Sequence, residues 1–351
     1  MAKTLIGLDI GSSSVKVINL RKTKRGYELL NFGIAPLPPQ TIVDSSLMNS
    51  GAVVEAIRRL VQSQGIKTKE CALSVSGHSV IIKKISLPQM TKAELENSIQ
   101  WEAEQYIPFD INDVNVDVQI LNPTSTEQGQ MDVLLVAAKK DLIYDFTAVA
   151  SEAGLKSTIV DVDAFSVANA FEANYPIPPD QTIALVNVGA SVTNIVVIAN
   201  RVTAFTRDIT IGGNQFTEEI QKQLGLSYEE AEDLKLGGDA GLDADSVIPQ
   251  EVESVIQEVA DSLSSEIRRS LEFYQATNQE GDIDKLYLCG GTSKLSTLRS
   301  ILESRVSIPV ELMDPFRNIK INPKIFDVEF IRNVAPMAAV AVGLGLRRFE
   351  D

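Results

Sequence analysis

Apolar residues alternate with glycine and polar residues along two short runs near the start of the chain, Leu5 to Ile10 and Val15 to Leu20, with Gly11, Ser12, Ser13 and Ser14 between them. A period of two puts successive side chains on opposite faces, so the stretch predicts strand, tight turn and strand. The pattern returns at 184–198 as "ALVNVGASVTNIVVI". Aligning the two copies sets Asp9 on Asn187, Gly11 on Gly189 and Ser13 on Ser191, which predicts a duplicated fold. A third element, "KLYLCGGTSKL" at 285–295, runs from an apolar strand through Gly290, Gly291 and Thr292 into a helix-like "LSTLRSILESRV".

Between the copies the period lengthens. Leu95, Ile99, Ala103 and Tyr106 recur at helical spacing behind a Thr91/Glu94 capping-box pattern, and Pro108 stops the run. Residues 131–155 add an apolar strand and a second helix, and the whole reads as a small α/β insertion in the first lobe. Further on, Ser227 and Glu230 form another capping-box pattern, "GGDAGLDADSVIPQ" predicts a loop, and Val252, Val255, Ile256, Val259, Leu263, Ile267 and Leu271 form a core-facing stripe over 250–277. Beside that stripe, Arg268 and Arg269 are read as a solvated face. Connecting helices are expected at 159–171 and 333–348. The expected division is a first-lobe core at 1–82 with 158–181 and 337–351, an insert at 83–157, a second-lobe core at 182–212 with 285–336, and an outer helical part at 213–284.

Composition narrows the chemistry. The chain has 351 residues, is 44% hydrophobic and carries a formal net charge of −15, which argues against a general nucleic-acid or anionic-membrane binder. Cys71 and Cys289 lie far apart in apolar contexts and are expected to be reduced thiols. No signal peptide and no run of about 18 apolar residues is recognised, so membrane association is expected to go through a partner. His78, the only histidine, reads as a turn residue, and with two separated cysteines it offers no zinc ligand set. No Walker-type P-loop and no nucleophile elbow is present.

The glycine and serines of the first turn are what a phosphate site needs. Gly11 permits close approach, and Ser12, Ser13 and Ser14 offer main-chain N–H groups and hydroxyls. Asp9 at the strand end is suited to orient water on Mg²⁺. An ordinary serine-containing hairpin fits the same residues. Two facing copies would clamp a polyphosphate, and Gly290 and Gly291 would let a base or ribose lie against the backbone.

The three elements, in this order, resemble the actin, Hsp70 and sugar-kinase superfamily. The resemblance implies an actin-like, ribonuclease-H-like duplicated two-lobe ATPase fold with an FtsA-type inserted α/β subdomain. A closer resemblance, to the PilM family of type IV pilus assembly, rests on "IGLDIGSSSVKV", "LPQMTKAELENSI", "QWEAEQYIPFDINDV", "VDVDAFSVANAF", "SYEEAEDLK" and "EIRRSLEFYQA". The chain stops at "GLGLRRFED", where the related FtsA continues into a linker and membrane helix, and this favours PilM.

The resemblance implies a cytoplasmic ATP-binding adaptor, recruited to the inner membrane by the N-terminal tail of PilN, which lies between the first-lobe core and the insert. It assigns Gly11, Ser12, Ser13 and Ser14 to one phosphate loop, Asn187, Gly189, Ala190 and Ser191 to the other, and Gly290, Gly291 and Thr292 to the adenosine. Asp9 is the expected magnesium-side carboxylate, Lys16 a phosphate contact, Gly212 and Gly213 the passage into the outer lobe, and Glu219 and Lys222 contacts for base or ribose or else solvent-facing charge. Asp163 falls where relatives position the attacking water, whereas Asn187 replaces an aspartate, so slow hydrolysis is expected. Trp101, Tyr106, Ile107 and Phe109 are the expected groove-side residues. Pilus motor or ring proteins and self-association remain further partner classes. A filament-forming FtsA-like protein and a metabolic kinase are the competing readings, and Asn187 tells against the kinase.

Overall fold

The computed structural model describes residues 5–126, 129–237, 249–277 and 281–348. The first hairpin forms as the alternation requires, from β1 (Ile6–Ile10) and β2 (Ser14–Thr23), and continues into β3 (Gly26–Pro36). A two-residue hairpin of β4 (Ile42–Val43) and β5 (Ser46–Leu47) precedes α1 (Ser50–Ser63) and β6 (Glu70–Val75). The insert follows as β7 (Val80–Pro88), α2 (Lys92–Glu104), β8 (Val114–Thr126) and β9 (Gln130–Lys139). Then come α3 (Lys140–Glu152), β10 (Lys156–Val162) and α4 (Asp163–Asn174).

The second lobe starts with β11 (Ile183–Val188), β12 (Thr193–Ala199) and β13 (Val202–Ile209). It carries α5 (Gly213–Leu224), α6 (Tyr228–Lys235) and α7 (Gln250–Thr277). The chain closes with β14 (Lys285–Cys289), α8 (Ser296–Val306), β15 (Val310–Leu312), β16 (Ile319–Lys320), α9 (Val328–Val334) and α10 (Ala339–Leu346).

Duplication is visible in strand order and in register. One sheet runs β10-β6-β1-β2-β3-β16 and the other β15-β14-β11-β12-β13. In each, a hairpin and its following strand pair antiparallel, while the two strands on the other side of the hairpin pair parallel. Asp9 faces Lys16 in the first hairpin and Asn187 faces Asn194 in the second. Both turns close identically, with Gly11 N–H donating to the Ser14 carbonyl at 3.1 Å and Gly189 N–H to the Val192 carbonyl at 3.0 Å. This is the duplicated two-lobe architecture that the repeated sequence pattern predicts.

Helices α4 and α10 fill the space between the sheets. Buried Phe171, Val167, Val342 and Leu344 share one cluster with Leu5 and Ile18 of the first sheet and Leu185 and Val196 of the second. The helical run Val328–Leu346 has the length and mean hydropathy of a membrane span, 19 residues at 1.3, although Glu329, Arg332 and Asn333 interrupt it, so no unbroken run of about 18 apolar residues occurs. Its apolar character is explained by packing, since Ala339 to Gly345 are buried against α4, β1 and β2. The expected helix at 333–348 is also divided, because a 3-10 segment, Ala335–Ala338, carries Pro336. Likewise the helix expected at 159–171 starts only at Asp163, because 156–162 extends the first sheet.

The insert ends earlier than the expected 157. Its own core joins Leu95, Ile99, Ala103 and Ile107 to Val133 and Leu135, but α3 sends Leu142, Phe146, Val149 and Ala150 into the first-lobe core with Leu8, Ile57 and Leu73. The insert is thus a three-stranded sheet, β7-β9-β8, with one helix. Similarly, β16 returns to pair with β3, so 319–320 belongs to the first sheet rather than the second lobe.

Both capping boxes form, and their hydrogen bonds from Thr91 and Ser227 hold Glu94 and Glu230 below the usual carboxylate range. All seven residues of the α7 stripe are buried. Arg268 pairs with Glu272 and Arg269 with Glu266 on its outer face. The loop expected over 237–250 falls almost wholly outside the described residues.

Candidate functional site

Two strand ends that point the same way from duplicated sheets bring both turns to one cleft, of about 1140 Å³. Asp9, Gly11, Ser12, Ser13, Ser14 and Lys16 line it from the first lobe. Asn187, Gly189, Ala190, Ser191, Gly213, Gly290, Gly291 and Thr292 line it from the second. Residues separated by nearly the whole chain are therefore neighbours, and the volume is at the upper end for a small-molecule pocket.

In the first lobe Lys16 Nζ donates to Asp9 Oδ2 at 3.1 Å, and both residues are buried. One carboxylate and one ammonium that neutralise each other can also separate toward a cation and a phosphate oxygen. Asp163, the first residue of α4, accepts from Ser74 Oγ at 2.5 Å. Burial, together with the nearby Asp9 charge, pushes its carboxyl up to about 6, against the opposing hydrogen bonds of Ser74 and Ser76. A carboxyl poised there is suited to take a proton from a water near neutral pH.

The second lobe answers with amides. Asn187 Nδ2 donates to Asn194 Oδ1 at 2.9 Å, where the first hairpin has its carboxylate–ammonium pair. Thr292 Oγ1 and the N–H of Gly213 both bind the Gly189 carbonyl, at 2.9 Å each, tying the second turn to the third motif and to α5. Gly290 takes a φ of +89° with its missing Cβ against the Val188 carbonyl, so only glycine fits where strand β14 meets the turn.

Two site expectations are corrected by position. Glu219 and Lys222 form an ion pair on α5, with Nζ to Oε2 at 3.3 Å, and do not line the cleft; Lys222 is three-quarters exposed. Their expected place is taken by Glu232 and Lys235 of α6, which do line it. Lys235 is buried and donates to Glu232 Oε2 at 2.5 Å, Thr217 Oγ1 at 2.9 Å and the Gly213 carbonyl at 3.2 Å. Desolvation depresses its ammonium, with Glu232 opposing. Gly212 sits behind the lining, pressed on the Gly189 and Ala190 carbonyls.

Among the expected groove residues, Ile107 is 7% exposed and belongs to the insert core. Burial of its apolar side chain removes it from the groove. Tyr106 and Phe109 are partly buried against that core, and Lys139 Nζ lies 4.5 Å above the Phe109 ring. Trp101 alone is open, at 77% exposure. Ile107→Ala is accordingly expected to destabilise the insert by about 2–4 kcal/mol, measured by denaturant unfolding, with Trp101→Ala within about 0.5 kcal/mol of the parent.

A family model described as "Type IV pilus assembly protein PilM" matches residues 7–349. The chain belongs to this family. The solved "PilM-PilN type IV pilus biogenesis complex" contains a chain similar to it at 28% identity and a TM-score of 0.88, with 99% of each chain covered. Outside the PilM family, the cell division protein FtsA of Pseudomonas aeruginosa is 23% identical over 99% of this chain and 91% of its own. FtsA of Bacillus subtilis is 22% identical over 66% of this chain, which spans 57% of that relative. The ethanolamine utilization protein EutJ from Carboxydothermus hydrogenoformans, with a TM-score of 0.59, 13% identity and 99% and 90% coverage, and MreB5 of Spiroplasma citri bound to AMPPNP, with 0.52, 13%, 98% and 95%, share the actin-like fold.

Proposed function

We propose that this PilM-family chain is an ATP-binding adaptor of type IV pilus assembly that receives the cytoplasmic tail of a PilN-type membrane protein. The observation that carries the reading is the match over nearly the full length of both chains to the PilM of a PilM–PilN complex. Two glycine-bearing turns facing one cleft support the nucleotide, and an ATP analogue in the similarly folded MreB5 is consistent with it. The serine hydroxyls and turn amides receive the phosphates, Lys16 a phosphate oxygen, Gly290, Gly291 and Thr292 the adenosine, and the Glu232 carboxylate the ribose hydroxyls.

The donor set near Asp9 suits a Mg²⁺ that keeps most of its waters, since such an ion needs only one or two carboxylates plus phosphates. Asp9 would hold it through water, and the ion would supply charge neutralisation at the phosphates. Asn187 and Asn194 add no second carboxylate, so hydrolysis is slow, with Asp163 as the base. The output is a binding event, and the partner supplies recruitment to the membrane. The filament-forming alternative rests on FtsA relatives 22–23% identical to this chain, a likeness that carries the fold alone.

Calorimetric titration with a PilN-tail peptide, with and without Mg-ATP, tests the proposal. Saturable one-to-one binding is expected, together with ATP binding by the chain alone. Trp101→Ala is expected to weaken peptide capture at unchanged unfolding, placing the tail on the open side of α2. Absence of peptide binding in both states, with ATP-dependent sedimentation of polymers, would overturn the adaptor in favour of a filament.

A further inference from the structure

The second hairpin's amide pair does not end at Asn194. Asn194 Nδ2 donates to Asp208 Oδ1 at 2.8 Å, and Asp208 Oδ2 accepts the backbone N–H of Gly77 at 2.7 Å. Asp208 lies on β13 of the second lobe, while Gly77 lies in the turn between β6 and β7, where the first-lobe core hands the chain to the insert. One carboxylate thus bridges the lobes and reaches the root of the insert. We infer that Asp208 is a positioning residue that fixes the cleft amides and latches them to the insert, so that nucleotide in the cleft is felt at the groove. The coupling half of this rests on the nucleotide reading above; the latch itself does not.

Chemistry sets the direction of the chain. An ionised carboxylate only accepts, so Asn194 must turn its NH₂ to Asp208 and its carbonyl oxygen to Asn187. Asn187 in turn gives its NH₂ to Asn194, and its Oδ1 lies 3.7 Å from Cys289 Sγ. A phosphate or hydrated cation that draws on the Asn187 amide competes with this order two hydrogen bonds from Asp208 and three from Gly77. The far end is equally constrained. Gly77 has a φ of +91°, Ser45 Oγ fills the place of its missing Cβ, and Ser45 Oγ also donates to the Ser76 carbonyl at 3.0 Å. Ser76 and Ser74 hydrogen-bond Asp163, so the 74–77 segment is held between the candidate base and the latch. Val80 N–H closes the turn on the Gly77 carbonyl at 2.9 Å, and β7 begins there. Asp208 does not line the cleft, so it reaches bound nucleotide through the amides, through the 74–77 segment that it holds, and through its charge on Asp163.

Asp208→Asn keeps the shape but has one acceptor oxygen for two donors. Hydrogen exchange of the 76–88 segment in the full chain, with and without saturating Mg-ATP, separates positioning from packing. In the parent, the segment is expected to be protected and to change its exchange about twofold or more when Mg-ATP binds. In Asp208→Asn, exchange without nucleotide is expected to rise about tenfold, and the response to Mg-ATP to vanish although ATP still binds. Equal exchange in the two proteins, or a retained response in the variant, overturns the latch. If calorimetry finds no ATP binding to the parent, the nucleotide reading and the coupling fail together, and the nucleotide-free comparison alone still decides the latch.

Discussion

Replacing Gly343 with alanine is expected to destabilise the chain by roughly 3 kcal/mol or more, and to lower its apparent Tm by about 5 °C in a thermal melt. A methyl group at Gly343 would overlap the backbone carbonyl of Ser166, where α10 crosses α4. Backbone cannot rotate aside as a side chain does, so the two helices must separate. They cannot separate cheaply, because α10 also lies on β1, where a Cβ at Gly7 would stand 2.5 Å from both the Ala341 carbonyl and the Gly345 nitrogen. Met337 and Val340, just before this crossing, line the cleft, so ATP affinity should fall as well. Gly51→Ala is the control, since its Cβ meets only ordinary contact and alanine favours α1. An unchanged melt for Gly343→Ala would mean that the helix crossing is looser than this geometry.

Much of this site could be seen in the pattern of residues before the fold was known, and what could not has identifiable reasons. The hairpins were legible because strand alternation and a glycine–serine turn are local, and because the chain carries the pattern twice. That duplication also carries a second signal. Lys16 faces Asp9 across the first hairpin, so the residue at the same offset from Asn187, Asn194, belongs to the site too. Glu219/Lys222 and Glu232/Lys235 have the same i, i+3 spacing on successive helices, and spacing cannot tell which helix turns toward the cleft. Packing decides it, because α6 carries the buried Ala231 and brings Lys235 over the Gly213 carbonyl. Periodicity also cannot separate Trp101, on α2, from Ile107, just beyond its end, since a helix with one exposed aromatic reads like one with a groove. The end of the insert is hidden in the sequence for a similar reason: α3 is apolar enough for either core, and only its contacts with β6 and β10 assign it. Asp208 gave no sequence signal, because its partners lie 14 and 131 residues away.

Asp163→Asn should move stability and activity in opposite directions. Its carboxyl is raised from 3.8 to about 6 by burial and by the Asp9 charge, so the folded protein prefers it protonated. The stability that preference contributes is fully present below about pH 4 and is lost as the pH rises through about 6. At pH 8 the ionised group costs the fold up to about 3 kcal/mol, the shift multiplied by the energy of one pKa unit. Asparagine is neutral throughout and can still accept from Ser74 through Oδ1, so the variant should unfold at higher denaturant than the parent at pH 8. The gap should narrow toward pH 5 and close near pH 4. Residual ATP hydrolysis should fall by about 100-fold or more, with ATP affinity kept, because an amide cannot take a proton from water. A variant that hydrolyses ATP at the parental rate would remove Asp163 from the reaction, and equal stability at pH 8 would mean that the site does not penalise its charge. If both effects appear, one carboxylate is held ionised against the preference of its surroundings, which is the mark of a group kept for chemistry rather than for folding.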